Sequence, residues 1–291
     1  MSGTVLVQGR RLGPEDIDRI RELIAAHPGW TRRRVSEQLC AEWDWRNGAG
    51  QLKDMATRSL LLKLQARGLI ELPARRRVAS NRMRSQQIRP YTWDTTPVTG
   101  PLPELGLLTV REVSTERPAR EAFAAALAEF HYLGYRGSVG ENLQYTITDA
   151  AGRLLACLLF GSAAWKCRAR DQFIGWTPEQ RTRGLHLLTN NSRFLILPWV
   201  RVPHLASWVL ARVLRRVSAD WQNKYGHPIA LVESFVERPR FLGTSYRAAN
   251  WIRTGSTTGR SRQDRHRTVR VAVKDVYLYP LQRKFRTVLS L

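Results

Sequence analysis

Acidic residues are scarce in this chain of 291 residues: 24 Asp and Glu stand against 47 Lys and Arg, a formal charge of +23. Such a chain repels itself at neutral pH and attracts polyanions, with an affinity that falls as salt rises, so a nucleic-acid partner is expected. The excess is carried by arginine, whose planar fork meets phosphate with paired hydrogen bonds. The plain alternative is a ribosome-associated or merely basic protein. Cysteine is sparse too. Cys40, Cys157 and Cys167 are odd in number and far apart, which excludes a disulfide framework, offers no zinc spacing and suits a reducing compartment. No stretch reaches the roughly 18 uninterrupted apolar residues of a membrane span. Residues 1–11 lack the apolar run of a signal peptide, so a cytoplasmic protein with no membrane partner is expected. What is present is core material: 43% apolar residues and ten tryptophans argue for folded domains.

The chain reads as three parts. In residues 1–77, PEDIDRIRELIAA (14–26) has proline in the first turn, acids at its start and Ile17, Ile20, Leu23 and Ile24 on one face, hence a helix. Thr31 caps a second helix with Val35, Leu39 and Trp43 inward, and a third covers residues 53–67, ended by Gly68. Residues 69–72 read as a strand leading into Arg75-Arg76-Arg77. Three helices, a strand and a basic turn match the winged helix-turn-helix pattern, with the third helix in the major groove and the wing on backbone. A three-helix dimerisation module is the alternative. Arg32, Arg33, Arg34, Arg58 and the wing arginines favour DNA. Residues 78–104 carry Pro90, Pro97, Pro101 and Pro103 and read as a Pro-rich basic linker. Its stretch 83–89 is basic enough to lie along phosphates.

Residues 105–291 alternate strand and helix. Strands are expected at 107–113, 143–148, 153–161, 193–200, 229–236 and 269–279, and helices at 117–133, 204–225 and 246–251. An insertion after residue 161 holds Trp165, Trp176 and a short helix near 178–187. The fold class is α/β (α+β), a mixed sheet with helices on its faces.

That element order is similar to the GNAT acyltransferase fold, and Tyr246-Arg-Ala-Ala-Asn250-Trp251-Ile-Arg-Thr-Gly255 resembles the end of such domains. The resemblance implies a pyrophosphate loop at Arg201-Val202-Pro203-His204-Leu205-Ala206, making Arg201 and His204 the candidate cofactor contacts. Pro203 has no amide and His204 replaces a glycine, which speaks against ordinary acetyl-CoA binding. The runs HYLGYRGSVGENLQY, LLFGSAAWK, RDQFIGW, LTNNSRFLILPWVRVPHLAS and GTSYRAANWIRTGSTTGRSR resemble the DruA family. That family is known from Druantia anti-phage loci and from proteins near bacterial mobile elements. Gly243 to Trp251 and the His131-Tyr132 pair are also similar to phage Mom-like proteins, GNAT-like enzymes that modify DNA adenine. These resemblances imply a nucleic-acid substrate and the proteins of a defence or transposition system as partners.

Five residues are candidates for chemistry. His131 and Tyr132 end a helix beside Gly134 and Gly137, where a histidine can serve as base or metal ligand, or only complement the helix dipole. Glu141 opens a strand. Glu233 sits in an apolar strand and must be paired, metal-bound or protonated; a salt bridge to one of the many arginines is its structural alternative. Tyr246 would serve as general acid, as a nucleophile on a phosphodiester, or as a core residue. Arg247, Asn250, Arg253, Arg260, Arg262 and Arg265, in and beside a Gly/Ser/Thr/Arg loop, make a phosphate-tracking surface, with Trp251, Trp199 and Trp176 as stacking candidates if exposed. Three classes remain open: an enzyme that modifies or cleaves DNA, with a divalent metal in the cleaving version; a binding subunit without chemistry; and an acyltransferase.

Overall fold

The computed structural model describes residues 5–7, 10–46, 50–74, 88–259 and 271–290. The expected wing Arg75, Arg76 and Arg77, the loop residues Arg260, Arg262 and Arg265, and residues 83–87 of the basic stretch lie outside them. Two compact units result, Met1–Asn81 and Arg82–Leu291.

The first unit opens with an antiparallel hairpin, β1 (Val5–Val7) and β2 (Arg10–Leu12), which the sequence pattern had not shown. Three helices follow: α1 (Pro14–Ala26), α2 (Arg32–Glu42) and α3 (Asp54–Ala66). The Thr31 side chain accepts from the Arg34 amide, the cap that its position promised. Ile17, Ile20, Leu39, Leu60 and Leu64 close the core between the helices. Residues 69–72 form no strand. Ile70 and Leu72 instead tuck into the helical core, and backbone oxygens in and next to the segment are taken by arginines: Arg21 Nε donates to Leu69 O and Arg32 Nε to Pro73 O.

The second unit begins with β3 (Val98–Thr99). There follow β4 (Thr109–Glu112), α4 (Arg117–Phe130), β5 (Asn142–Thr148), β6 (Leu154–Ser162), α5 (Arg168–Ile174) and α6 (Pro178–Gly184). Next come β7 (Leu188–Ile196), β8 (Val200–Arg201), α7 (Leu205–Leu214), α8 (Val217–Tyr225) and β9 (Leu231–Glu237). The unit ends with α9 (Thr244–Ala248), β10 (Ile252–Ser256), β11 (Lys274–Pro280) and α10 (Phe285–Leu289). Seven strands build one mixed sheet in the order β10-β11-β9-β7-β6-β5-β4, while β3 pairs with β8 apart from it. Every neighbouring pair in the large sheet is antiparallel except β7 and β9. One face packs on Phe123, Leu127, Leu210, Val213 and Trp221 from α4, α7 and α8. The other packs on Ile174, Trp176 and Phe285.

Three expectations shift. The single helix over 204–225 is two, because Arg216 leaves helical geometry (φ −121°) and binds Asp220 and the Val110 carbonyl with its side chain. The strand expected from 193 starts at Leu188, and in its polar opening Thr189 and Asn191 turn their side chains to carbonyls of β6. Residues 252–256, of which Gly255 and Ser256 were read as the start of the Gly/Ser/Thr/Arg loop, form β10 against β11.

Candidate functional site

The sheet comes apart where its one parallel pair should continue. β7 and β9 are paired only at residues 188–190 against 231–233. Beyond that they diverge, and a cavity of about 790 Å³ opens on residues 190–196 of β7 and 234–236 of β9. That size suits a small ligand. Its rim is closed by the end of α4 (Phe130 to Leu133) and by the turn from Arg240 to Tyr246.

His131 caps α4 and is buried, with its Nδ1 accepting from the Leu133 amide at 3.2 Å. Burial, and then the nearby Arg193 cation, bring its pKa down to about 4. The ring at neutral pH is uncharged and carries its proton on Nε2, as the bond to Nδ1 requires. It is thus a donor and a feeble base. Because the fold holds the neutral ring, this stability is present above the ordinary value of 6.5 and is lost as pH falls from 6.5 towards 4. After allowance for partial solvent screening the loss is about 2 kcal/mol. An NMR titration of the His131 ring should place its midpoint near 4, and His131→Gln should blunt the acid loss in urea unfolding. A midpoint above 6 in the folded protein contradicts this.

Tyr246 lies across the cavity. Its hydroxyl donates to Asn191 Oδ1 at 2.8 Å and accepts from Ser234 Oγ at 3.0 Å. Its ring stacks on Tyr277 and meets Trp251 edge-on. Burial pushes the phenol pKa up, so Tyr246 keeps its proton and is placed as a donor rather than a ready phenolate. Tyr132 stands at the rim under the Arg240 guanidinium, 4.9 Å from its ring centroid, with Phe241 edge-on at 5.2 Å. Burial, then the Glu237 charge, raises its pKa as well. Arg193, Arg240 and Lys274 all line the cavity, and among the described lining residues there is no carboxylate.

Glu233 is not among them. Successive strand residues face opposite sides: Ser234 meets Tyr246, while Glu233 points through the sheet to a fully buried Arg170. Arg170 Nη1 is 2.8 Å from Glu233 Oε2, and the Ala164 amide donates to Oε1 at 2.6 Å. Arg170 also holds Asp171 and the Ala164 carbonyl. Burial pushes the Glu233 carboxyl up against the pull of these partners. This network ties the insertion between β6 and β7 to the sheet, the salt bridge that was its structural alternative. Glu141 is likewise apart from the cavity: its Oε2 is 3.1 Å from His227 Nε2, whose ring adjoins His186. The structure therefore brings His131, Tyr132 and Tyr246 together and leaves Glu141 and Glu233 elsewhere. Among the described residues no group of three or more His, Cys, Asp and Glu is arranged to hold a metal ion.

His204 takes a left-handed conformation (φ 64°) before α7, the backbone a glycine would adopt, and Arg201 is exposed on β8. Neither lines the cavity, which Ala206 touches. Arg247 and Asn250 are exposed after β9, and exposed Arg253 shares Asp275 with Arg238. Trp251 and Trp176 are buried and cannot stack on a base, whereas Trp165, on the insertion, is half exposed. In the first unit Arg33 pairs with Glu37, Arg34 covers Trp30, and Arg58 pairs with Asp54. Sequence reasoning missed Asn190, Asn191, Arg193, Ser234 and Arg240. The run TNNSR inside an otherwise apolar strand was the available signal.

No curated protein sequence matches this chain. Among solved structures it is similar to a spermidine N-acetyltransferase from Vibrio cholerae in complex with CoA and spermine. The two are 10% identical with a TM-score of 0.40 over 60% of this chain and 95% of that one. It is also similar to a nourseothricin acetyltransferase, 8% identical with a TM-score of 0.31 over 48% of this chain and 66% of that one. A family model described as Druantia protein DruA matches residues 63–274, and on that span the chain belongs to the DruA family.

Proposed function

We propose that this protein binds DNA and holds one of its nucleotides in the cavity between β7 and β9. The observation that carries the reading is the cavity's charge: Arg193, Arg240 and Lys274 line it, with no carboxylate among the described lining residues and Glu237, 3.8 Å from Arg240, outside the lining. Such a wall favours a phosphate-bearing ligand. Tyr132 and Phe241 supply aromatic surface at the mouth for a base. The three-helix unit, with Arg33 and Arg34 exposed on α2, is proposed as a helix-turn-helix grip on DNA. A GNAT-like core is the fold reading that goes with the element order. The DruA family suggests a defence setting, with partner proteins of such a system.

Chemistry on the captured base is the second reading, favoured by His131 and Tyr246 sharing one cavity. His131 would act as the hydrogen-bond donor polarising an acceptor, while Tyr246, its proton on Asn191 Oδ1, would hold the wall in place. Metal-assisted cleavage would need carboxylate ligands that the described cavity wall does not hold. Acetyl-CoA would find Pro203 and His204 where amide donors and a glycine are called for, so the acyltransferase version draws no support from these residues.

Oligonucleotides carrying 2-aminopurine test the capture. The full chain should bind them in a salt-sensitive way and raise their fluorescence as the base leaves its stack. Tyr132→Ala, at an exposed position, should remove most of the rise. DNA binding with no fluorescence change refutes the cavity's role, and no binding refutes the whole reading. Intact mass of the recovered oligonucleotide reads the second possibility: a mass shift lost in Tyr246→Phe establishes modification.

A further inference from the structure

A second cavity adjoins the first at Arg193. Leu133, Ser192 and Arg193 also line this second cavity, of about 740 Å³, beneath the glycine-rich loop 134–140. Tyr135, Gly137, Ser138 and Asn142 pass from there into a third, of about 550 Å³, bounded by α4 and α8. Shared lining residues set the three in a row, a segmented groove within the second unit. Its cations are Arg193, Arg240 and Lys274 in the first cavity, Arg136 in the second, and Arg120, Arg89 and Lys224 in the third, with Arg240 beside Glu237 and Lys224 beside Glu112. The described lining residues of all three cavities include one carboxylate, Glu121, which already faces Arg117 and Arg89. Gly137, which lines both the second and third cavities, sits at φ 105°, a conformation that side-chain-bearing residues rarely adopt.

Arg193 stands where the first two cavities meet. Its Nε donates to the Gly134 carbonyl at 3.0 Å and its Nη1 to the Ser192 carbonyl at 2.8 Å, and among the described residues no carboxylate pairs with it. Burial of this unneutralised cation draws its pKa down. A half-buried guanidinium fixed by carbonyls alone is a seat for an anion from outside the protein.

We propose that an unpaired DNA strand runs along this groove, with one nucleotide in the first cavity, its phosphate on Arg193, and the neighbouring nucleotides past the glycine loop towards Arg120 and Arg89. The inference rests on the DNA reading above and adds the form of DNA and its path. Duplex cannot follow such a route, since a base enters a cavity only out of its stack and pair. A train of cations with aromatic faces at Tyr132 and Tyr135 is how a protein holds a single strand without reading its sequence.

Fluorescence anisotropy with a single-stranded oligonucleotide and the duplex of the same sequence, at matched salt, tests this on the full chain. Single-strand binding should weaken about fivefold or more in Arg193→Gln and in Arg136→Gln, with the salt slope shallower by about 0.7 for each lost phosphate contact. Arg215→Gln removes the same charge at an exposed position that lines none of the three cavities, and should bind as the parent does. Arg136 is exposed, so its variant does not depend on refolding of a core. Single-strand affinity unchanged in both groove variants overturns the path while leaving DNA binding intact, as does preference for duplex unaffected by them. Failure to bind either form overturns the DNA reading itself.

Discussion

Arg170→Ala should cost the folded protein about 3–5 kcal/mol, because it strands the Glu233 carboxylate in a fully buried position without its cation. The loss includes the anchor of the insertion: the same guanidinium holds Asp171 and the Ala164 carbonyl and lies over Trp176. Removing both charges together is a different matter. A buried pair replaced by apolar residues of similar size is often neutral, so Arg170→Met with Glu233→Leu should recover most of the stability. Urea unfolding of the single and double variants separates the cases. A single variant within 1 kcal/mol of the parent would mean that the pair is not buried in solution. Activity, if the second functional reading holds, should survive in the double variant, since Glu233 lies on the far side of the sheet from Tyr246.

Gly243→Ala is expected to be nearly as damaging, at about 2–5 kcal/mol, and it strikes the cavity directly. Gly243 has φ 68°, where any side chain is strained, and a Cβ there would lie 2.3 Å from Tyr277 Oη and 2.7 Å from its Cζ. Tyr277 cannot step aside, being buried and stacked on Tyr246. The substitution therefore pushes on Tyr246 and on the hydroxyl bonds to Asn191 and Ser234. Thermal melting should fall, and 2-aminopurine capture should weaken in whatever fraction remains folded. A variant with unchanged melting and capture would show that the turn from Arg240 to Tyr246 is looser than its packing implies.

Local signals in the sequence led to local structure reliably where proline, caps and a 3.6-residue period agreed. The first helix, Pro14–Ala26, and the Thr31 cap are of that kind. They misled where tertiary partners decide. Residues 69–72 have strand-like composition, yet a strand exists only beside another, and here arginine side chains take backbone oxygens in and next to the segment instead. Val213 and Val217 keep the helical period across the break at Arg216, so periodicity is blind to it. The same limit governs the site. Alternation places Glu233 and Ser234 on opposite faces, but it does not say which face opens into a cavity. Chemistry-rich Glu233 drew attention, while Ser234, Asn191 and Arg193 carry the wall. Their role depends on β7 and β9 parting, a consequence of three-dimensional packing with no local residue signature.

That parting also divides the sheet mechanically. On one side β10, β11 and β9 are laced together, and on the other β7, β6, β5 and β4. Only residues 188–190 and 231–233 join the halves as paired rungs, and beyond them Ser234 and Tyr246 bind Asn191 through side chains, so the ladder is thinnest at that seam. Small changes in the angle between the halves cost few ladder bonds yet widen or narrow the mouth near Tyr132 and Arg240. Compliance is thus concentrated where a guest would enter, while the Arg170–Glu233 bolt sits at the last rung, where Glu233 faces Asn190, and braces the end of the seam.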